Sequence, residues 1–174
     1  MASRGLVVFA HPNPASLTAA LARAAYDGLR AGGLPSRLVD LHREGFDPVM
    51  TMREAAGHAA DDPIVTGMID DLKGAAVLIV IHPNCWGAPP AMMKGWMDRV
   101  FAPGAAYAFE KGTDAGDVPA PRLGLRHAIV VNTSNTAEDR EARDFGDPLE
   151  RIWRDCLLRY CSNADVERLV LRIV

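Results

Sequence analysis

The chain has 174 residues, 49% of them apolar, and a formal net charge of −3 at pH 7, which fits one domain spanning residues 1–174 with a full hydrophobic core. Charges of both signs are interspersed and the longest apolar run is far below the roughly 20 residues of a membrane span, so composition indicates neither a nucleic-acid surface nor a membrane segment. Three cysteines without zinc-ribbon spacing argue against a disulfide scaffold, and we expect a cytoplasmic protein.

Short apolar runs alternate along the chain with helical patterns. Five runs predict strands, at residues 5–10, 36–41, 75–81, 127–131 and 166–174. Four helices are predicted to start near Ser16, Asp62, Pro90 and Asp147, where a capping residue or a proline precedes an apolar stripe. Residues 46–60 indicate a surface excursion with a short helix, and residues 103–126 a long loop rich in Gly, Pro and Ala. This order favours a parallel sheet with right-handed crossovers.

The stretch 75–101 organises the predicted fold. Its seven uninterrupted apolar residues, 75–81, are typical of a strand that is buried on both faces. The loop 83–88 follows this strand, and two other predicted strands also end in loops rich in hydrogen-bonding groups, at His11 and Asn132. In open α/β sheets ligands bind at the carboxyl edge, so we expect the three loops to border one crevice.

The first of these loops enters a predicted helix start, where backbone amides and the hydroxyls of Ser16 and Thr18 can bind a phosphate. The loop contains no glycine, which argues against the G-x-G-x-x-G fingerprint, and a G-x-x-x-x-G-K-[ST] motif is absent as well. From the residues alone, a zinc site of His11, His82 and Cys85 stays open as an alternative, although no fourth ligand is in register with them. Both histidines can also be plain strand-end residues with satisfied ring nitrogens.

Several segments that together span nearly the whole chain carry a family resemblance. They read VVFAHPNPASLTAAL (7–21), LIVIHPNCWGAPPAMMKGWMDRVF (78–101), GAAYAF (104–109), VVNTSNT (130–136) and FGDPLERIW (145–153). With these segments the chain resembles the flavodoxin-like NAD(P)H:quinone oxidoreductases, a family that includes the ancillary flavoproteins of potassium-efflux systems.

The resemblance implies an α/β fold, the flavodoxin-like three-layer sandwich, with a five-stranded parallel sheet in the order 2-1-3-4-5. Family members usually continue from the last strand into a final helix, whereas this sequence ends at its last predicted strand. The resemblance therefore predicts a sandwich that lacks this helix. The third loop also departs from many members, because it reads TSNT at 133–136 where they have TTGG.

The resemblance further implies a flavin, FMN or FAD, held by the three loops. The implied cofactor-binding residues are His11, Ser16, Leu17 and Thr18 at the phosphate, Pro83, Asn84, Cys85 and Trp86 along the isoalloxazine ring, and Thr133, Ser134 and Asn135 at its pyrimidine edge. Tyr107 and Phe109 are implied at the substrate pocket, near the flavin of a partner subunit, since members are typically homodimers. No metal is implied. No catalytic side chain is assigned, because residues 138–145 contain neither the Tyr nor the His that assists the animal enzyme.

The activity that the resemblance implies is that of an NAD(P)H dehydrogenase (quinone), which passes a hydride from NAD(P)H to a quinone-like acceptor by a ping-pong cycle. The flavin supplies this chemistry, so a site without an acid–base pair is expected. FMN is preferred over FAD because the short chain shows no extra adenine-binding segment. Two alternatives stay open: a flavin-bearing regulatory subunit associated peripherally with a membrane transporter, and a one-electron flavodoxin-like carrier, for which a net charge of −3 is mild.

Overall fold

The computed structural model describes residues 4–110 and 118–174. Its strands are β1 (Arg4–Phe9), β2 (Ser36–Asp40), β3 (Ala75–Pro83), β4 (Tyr107–Glu110), β5 (Val118–Pro121), β6 (His127–Ser134) and β7 (Asp165–Arg172). The helices are α1 (Leu17–Ala31), α2 (Met52–Ala55), α3 (Pro63–Gly74), α4 (Ala91–Val100), α5 (Glu138–Asp144) and α6, which runs through Pro148–Glu150, the π-helical Arg151–Leu158 and Arg159–Cys161.

Five strands form one parallel sheet in the order β2-β1-β3-β6-β7. This arrangement confirms the predicted five-stranded parallel sheet, and β6 and β7 are the fourth and fifth strands of the predicted order. Val7 of β1 pairs with Leu38 on one side and Ile79 on the other. The apolar runs therefore lie at the centre of the sheet, and the carboxyl ends of β1, β3 and β6 are neighbours along one edge.

The predicted loop 103–126 contains a structure that the sequence reading missed. Strands β4 and β5 pair there as an antiparallel hairpin, with Tyr107 opposite Pro121 and Glu110 opposite Val118. The pattern concealed these strands because β5 reads VPAP, and proline is tolerated only on edge strands of this kind. The prediction of an irregular loop is wrong at these eight residues.

None of the four predicted helices covers the charged segment after β6, but Glu138–Asp144 forms the helix α5 there. Its sequence, EDREARD, offers no apolar stripe from which a helix could be inferred. Buried Glu141 occupies the inward face instead. Because a charged residue occupies the packed face, the apolar periodicity of the sequence does not indicate a helix here.

The hydrophobic core lies on both faces of the sheet, because alternate residues of a strand point in opposite directions. Val7, Phe9 and Ile81 pack with Ala19 and Ala22 of α1 in one cluster. The even-numbered neighbours on β1 and β3 face a larger cluster with apolar residues of α3, α4 and α6: Val65, Met68, Leu72, Met93, Trp96, Leu149 and Trp153. The sheet is thus sandwiched between helices.

Helix α4 carries a glycine that a close approach requires. A Cβ on Gly95 would lie 2.3 Å from the carbonyl oxygen of Pro48, so no side chain fits between the helix and the segment that crosses it. The absence of a side chain at Gly95 lets the excursion 46–60 lie directly against α4. The excursion contains the short helix that the sequence indicated, α2, with a capping box between Thr51 and Glu54.

Capping residues begin the helices where the sequence placed them. Ser16 Oγ accepts a hydrogen bond from Ala19 N (3.2 Å), and Asp62 Oδ1 accepts one from Ile64 N (2.8 Å). Asp147 caps α6 in the same way. Within residues 4–110 and 118–174, none of the helices has both the length and the apolar character needed to traverse a bilayer.

Candidate active-site cleft

A cleft of about 670 Å³ opens at the carboxyl edge of the sheet, where the loops after β1, β3 and β6 meet. The described residues that line it are His11, Pro83, Asn84, Trp86, Gly87, Thr133, Ser134, Asn135, Thr136, Arg140, Phe145, Pro148 and Val174. Its volume lies in the range of small-molecule and cofactor sites. The backbone joins two of the loops directly, because Asn84 N donates to Thr133 O at 2.7 Å.

The loop after β3 makes a tight reversal that presents Trp86 to solvent. Cys85 N donates to Ala88 O (3.0 Å), and Ala88 N donates back to Cys85 O (3.1 Å). The two central residues, Trp86 and Gly87, have φ of 59° and 74°, as in a type I′ turn. Glycine accepts this conformation readily, whereas a tryptophan there is a genuine outlier that costs about 1–3 kcal/mol.

The indole ring of Trp86 is nevertheless fully exposed. A strained backbone that holds a large apolar ring out in water gains nothing from packing within the chain. Such strain persists only where the surrounding structure enforces it, and it is concentrated at ligand-binding sites. The turn is therefore the feature of this cleft that points most directly to a flat aromatic ligand.

The side chain of Asn84 fixes the turn. Asn84 Oδ1 accepts a hydrogen bond from Gly87 N at 2.8 Å, and Asn84 Nδ2 donates to Glu141 Oε1 at 3.3 Å. The other carboxylate oxygen of Glu141 accepts from Arg172 Nη1. The Glu141 side chain is 2% exposed, so a buried ion pair anchors the turn to both α5 and the end of β7.

The third loop supplies short polar side chains. Thr133 and Ser134 are buried at the end of β6, and Asn135 follows them on the surface. Ser134 Oγ accepts from Thr136 N at 3.2 Å, which curls the chain back toward the cleft. Hydroxyl and amide groups of this kind can both donate and accept, so they suit a ligand edge that carries alternating donors and acceptors.

The first loop is organised by Asn13. Its side-chain oxygen accepts from Ala15 N (2.9 Å), and its backbone N–H donates to His11 Nδ1 (3.1 Å). This bond favours the His11 tautomer with the proton on Nε2, which leaves an N–H donor on the ring. His11 is the member of this loop that lines the cleft, and Ser16 caps α1 just beyond it.

His82 lies beneath the cleft and has no access to it. Trp153 Nε1 donates to its Nε2 at 2.9 Å, while its Nδ1 donates to Pro83 O at 2.8 Å, so both ring nitrogens are used. Complete burial lowers the pKa of His82 to about 4, and it is neutral at pH 7. The structure thus supports the plain structural alternative for His82, not a ligand-binding role.

The zinc alternative finds no support in the described part of the chain, where no three His, Cys, Asp or Glu side chains come close enough together to hold an ion. Cys85 sits at the start of the tight turn with its backbone committed to the reversal. Partial burial raises the pKa of the Cys85 thiol, which therefore stays protonated at neutral pH. Neither a thiolate ligand nor a thiolate nucleophile is expected there.

Seven of the eleven residues assigned to the cofactor line the cleft: His11, Pro83, Asn84, Trp86, Thr133, Ser134 and Asn135. Ser16, Leu17 and Thr18 start α1 outside its walls, and Cys85, the first residue of the turn, is not among the lining residues. Tyr107 and Phe109 lie elsewhere, on the hairpin, where their rings meet edge to face at 5.6 Å and Tyr107 also contacts Tyr160. Within one copy of the chain they are not part of this cleft.

The sequence reading missed two prominent residues of the cleft. Arg140 lies on α5, a helix that the sequence did not predict, and Phe145 follows the end of that helix with its ring half exposed. Phe145 belongs to the segment FGDPLERIW, so the family pattern contained a signal for it. The sequence contained no such signal for Arg140. In a run of charged residues, no local pattern shows which side chain lines a cleft.

Comparison with known proteins agrees with this architecture. Residues 3–171 match the family model described as Flavodoxin-like fold. An uncharacterized NAD(P)H oxidoreductase of Haemophilus influenzae is 30% identical over 171 residues, which cover 93% of this chain and 80% of that protein. A ribosyldihydronicotinamide dehydrogenase-like protein of Penicillium crustosum is 29% identical over 84% of this chain and 63% of its own length. The chain likewise spans only 54%, 64% and 48% of three further curated relatives.

Solved structures show the same fold. Smu.1420 from Streptococcus mutans has a TM-score of 0.85 and 27% identity, over 98% of this chain and 88% of that one. An FMN-dependent NADH-azoreductase from Bacillus anthracis, in complex with FMN, has a TM-score of 0.68 at 15% identity, over 98% of this chain and 87% of its own, a likeness of fold alone. Because the family model and the Haemophilus influenzae oxidoreductase both match nearly the whole of this chain, the chain belongs to the flavodoxin-like NAD(P)H:quinone oxidoreductase family.

Proposed function

We propose that this chain is a flavin-dependent oxidoreductase that transfers electrons from NAD(P)H to a quinone-like acceptor in a ping-pong cycle. The observation that carries the proposal is the strained, fully exposed Trp86 beside a cleft of about 670 Å³ at the carboxyl edge of the sheet. The names of the relatives from Haemophilus influenzae and Penicillium crustosum, an NAD(P)H oxidoreductase and a dehydrogenase-like protein, support the same reaction class.

The residues present fit a flavin. Trp86 and the backbone of Pro83 and Asn84 offer a flat wall for the isoalloxazine ring. Thr133 and Ser134 offer hydroxyl and backbone groups that suit its pyrimidine edge, and Asn135 adds an amide that can donate and accept. The start of α1 at Leu17 has the backbone amides and the dipole that favour a phosphate group.

A bound flavin supplies the two-electron chemistry, and the protein's part is to bind, orient and exclude water. The loops after β3 and β6 hold one edge of the cleft rigidly, because Asn84 N bonds to Thr133 O. Cys85 keeps its proton, so no competing thiolate faces the ligand. The open side of the cleft leaves room for nicotinamide and then the acceptor to occupy the same place in turn. FMN is the flavin bound in the Bacillus anthracis structure of the same fold, and we propose it here in preference to FAD.

The proposal extends to the whole chain. We propose that residues 1–174 act as one flavin-binding domain of a cytoplasmic homodimer, in which Tyr107 and Phe109 approach the cleft of the partner. Their position supports this reading, because the hairpin carries Phe109 with its ring more than half exposed. A partner subunit would cover this exposed ring.

The proposed function is tested by the visible absorption spectrum of the purified protein after reconstitution with FMN, recorded without oxygen before and after adding NADPH. We expect a flavin spectrum that bleaches and then recovers when a quinone is added. A bound flavin that NADPH bleaches only feebly would favour the regulatory-subunit alternative. Failure to bind flavin at all would contradict the proposal.

Replacing Trp86 with Asn should lower FMN affinity roughly tenfold, because an aromatic stacking surface of this kind contributes about that factor. Asn tolerates the positive φ of this position, so the variant should be as stable as the parent or slightly more stable. The two readouts are an FMN titration and urea unfolding of the flavin-free protein. Unchanged FMN affinity in a folded variant would remove Trp86 from the binding site.

Replacing Ser16 with Glu tests the position of the phosphate. The added carboxylate would repel a phosphate at the start of α1, so FMN affinity should fall at least tenfold. Riboflavin, which has no phosphate, should bind the variant about as well as the parent. Ser16→Asn, which keeps a good N-cap without the charge, is the control. Equal losses for FMN and riboflavin would mean that the phosphate lies elsewhere.

A further inference from the structure

The charged side chain that lines the cleft is a cation. Arg140 is the one Lys, Arg, Asp or Glu side chain among the described residues that line it. The neighbouring buried carboxylate, Glu141, is already paired with Arg172. Glu138 and Asp139 occupy the exposed first turn of α5 outside the cleft walls, where water screens them. Among the described side chains that line the cleft, a ligand therefore meets a cation without a competing carboxylate.

Arg140 is able to turn toward such a ligand. Its side chain is 65% exposed, and its Nε lies 3.5 Å from Asp144 Oδ2, a loose ion pair. Arg143 binds the same carboxylate more closely, with Nε donating to Oδ1 at 2.8 Å. Because Asp144 keeps this second cation, moving Arg140 away leaves no carboxylate unpaired.

The rings beside Arg140 define what else the ligand should carry. Trp86 is fully exposed and Phe145 is 52% exposed, and both line the same cleft. With Trp86 assigned to the flavin, Phe145 is the ring that remains for a flat aromatic acceptor, while a guanidinium binds oxyanions such as carboxylate or sulfonate through two parallel N–H bonds. The cleft thus combines recognition of a ring with recognition of an anion.

We propose that Arg140 is a specificity-determining residue that selects aromatic acceptors bearing an anionic group, such as a sulfonate or carboxylate. This inference rests on the proposed quinone-reducing function and names its substrate class. Arg140 binds the substituent and not the reacting carbonyls, so it acts on KM more than on kcat. Its contribution should weaken as salt is added, since the ion pair forms near the surface.

The test compares 1,4-naphthoquinone with 1,4-naphthoquinone-2-sulfonate in the parent, Arg140→Gln and Arg143→Gln. Arg143→Gln makes the same charge change on the same helix but keeps Arg140, so it controls for the change in net charge. In Arg140→Gln we expect kcat/KM for the sulfonate to fall roughly fivefold through a rise in KM, the upper range for an exposed ion pair. The neutral quinone should be unaffected in both variants. In Arg143→Gln the Asp144 carboxylate keeps Arg140 as its remaining cation, so kcat/KM for the sulfonate should fall less than in Arg140→Gln. Equal changes for the two quinones, or no change, would overturn the proposal.

Two further arms separate the possible failures. Binding of naphthalene-2-sulfonate and of neutral 2-naphthol to the flavin-loaded protein is measured by fluorescence, and it needs no turnover. The protein could prefer the sulfonate in an Arg140-dependent way and yet reduce no quinone. That result would contradict the proposed function but would still support an anion site at Arg140. The other arm measures the ratio of kcat/KM for NADPH to kcat/KM for NADH in the parent and in Arg140→Gln. If Arg140→Gln alters that ratio and leaves the quinone ratio alone, Arg140 reads the nucleotide phosphate and the acceptor proposal is wrong.

Discussion

Replacing Arg172 with Ala is expected to destabilise the protein by about 3 kcal/mol, because it leaves the Glu141 carboxylate buried without its cation. The Glu141 side chain is 2% exposed and that of Arg172 is 19% exposed, so solvent cannot replace the lost partner. Urea unfolding measures the loss directly. The same variant should bind FMN more weakly, since Glu141 also holds Asn84, which fixes the Trp86 turn.

Two controls make this result specific. In the double variant Glu141→Leu with Arg172→Leu no buried charge is left unpaired, so it should be more stable than Arg172→Ala alone. Lys94→Ala breaks the exposed pair between Lys94 and Asp98 and should change the free energy of unfolding by less than about 0.5 kcal/mol. A loss of stability in Arg172→Ala no larger than that of Lys94→Ala would show that the Glu141 pair contributes nothing.

The second large effect is acid destabilisation through His82. Its pKa is about 4 in the folded protein because of burial, with Arg168 contributing, against 6.5 in the unfolded chain. The unfolded state therefore binds the extra proton first as pH falls. Neutral His82 therefore makes its full contribution to the free energy of unfolding above pH 6.5. This contribution, roughly 3 kcal/mol, is lost as the pH falls from about 6.5 to 4.

Urea unfolding at a series of pH values from 7.5 to 4 tests this expectation. His82→Gln keeps a group that can accept from Trp153 and donate to Pro83, but it cannot titrate. The variant should be less stable than the parent at pH 7 and should lose less stability on acidification. Exposed His127, at the start of β6, is the control, and His127→Gln should follow the parent. Parallel curves for His82→Gln and the parent would contradict the assignment.

The sequence determines those parts of the fold that depend on local patterns. Apolar runs such as 75–81 identify buried strands, and Ser16, Asp62 and Asp147 identify helix starts, because a cap acts within three residues of itself. The position of the cleft also follows from general rules, since parallel strands present their carboxyl ends at one edge.

Contacts between residues that are far apart in the sequence could not be predicted from local patterns. The pairing of Glu141 with Arg172 joins positions 31 residues apart, and the bond between Trp153 and His82 spans 71 residues. Whether a histidine at a strand end faces a ligand or the core depends on such contacts. Local periodicity also does not predict which side of α5 is buried. Within one charged run Arg140 is exposed and Glu141 is buried.

The order in which the strands join the sheet has a consequence for synthesis on the ribosome. β1, β2 and β3 can pair as soon as residue 83 has emerged, because β1 lies between the other two. The cleft also needs the loop after β6, and the buried ion pair that anchors the Trp86 turn forms only when Arg172, at the end of β7, reaches Glu141. The nascent chain can therefore pair three of its five parallel strands early, whereas the anchored cleft forms only after β7 has been translated.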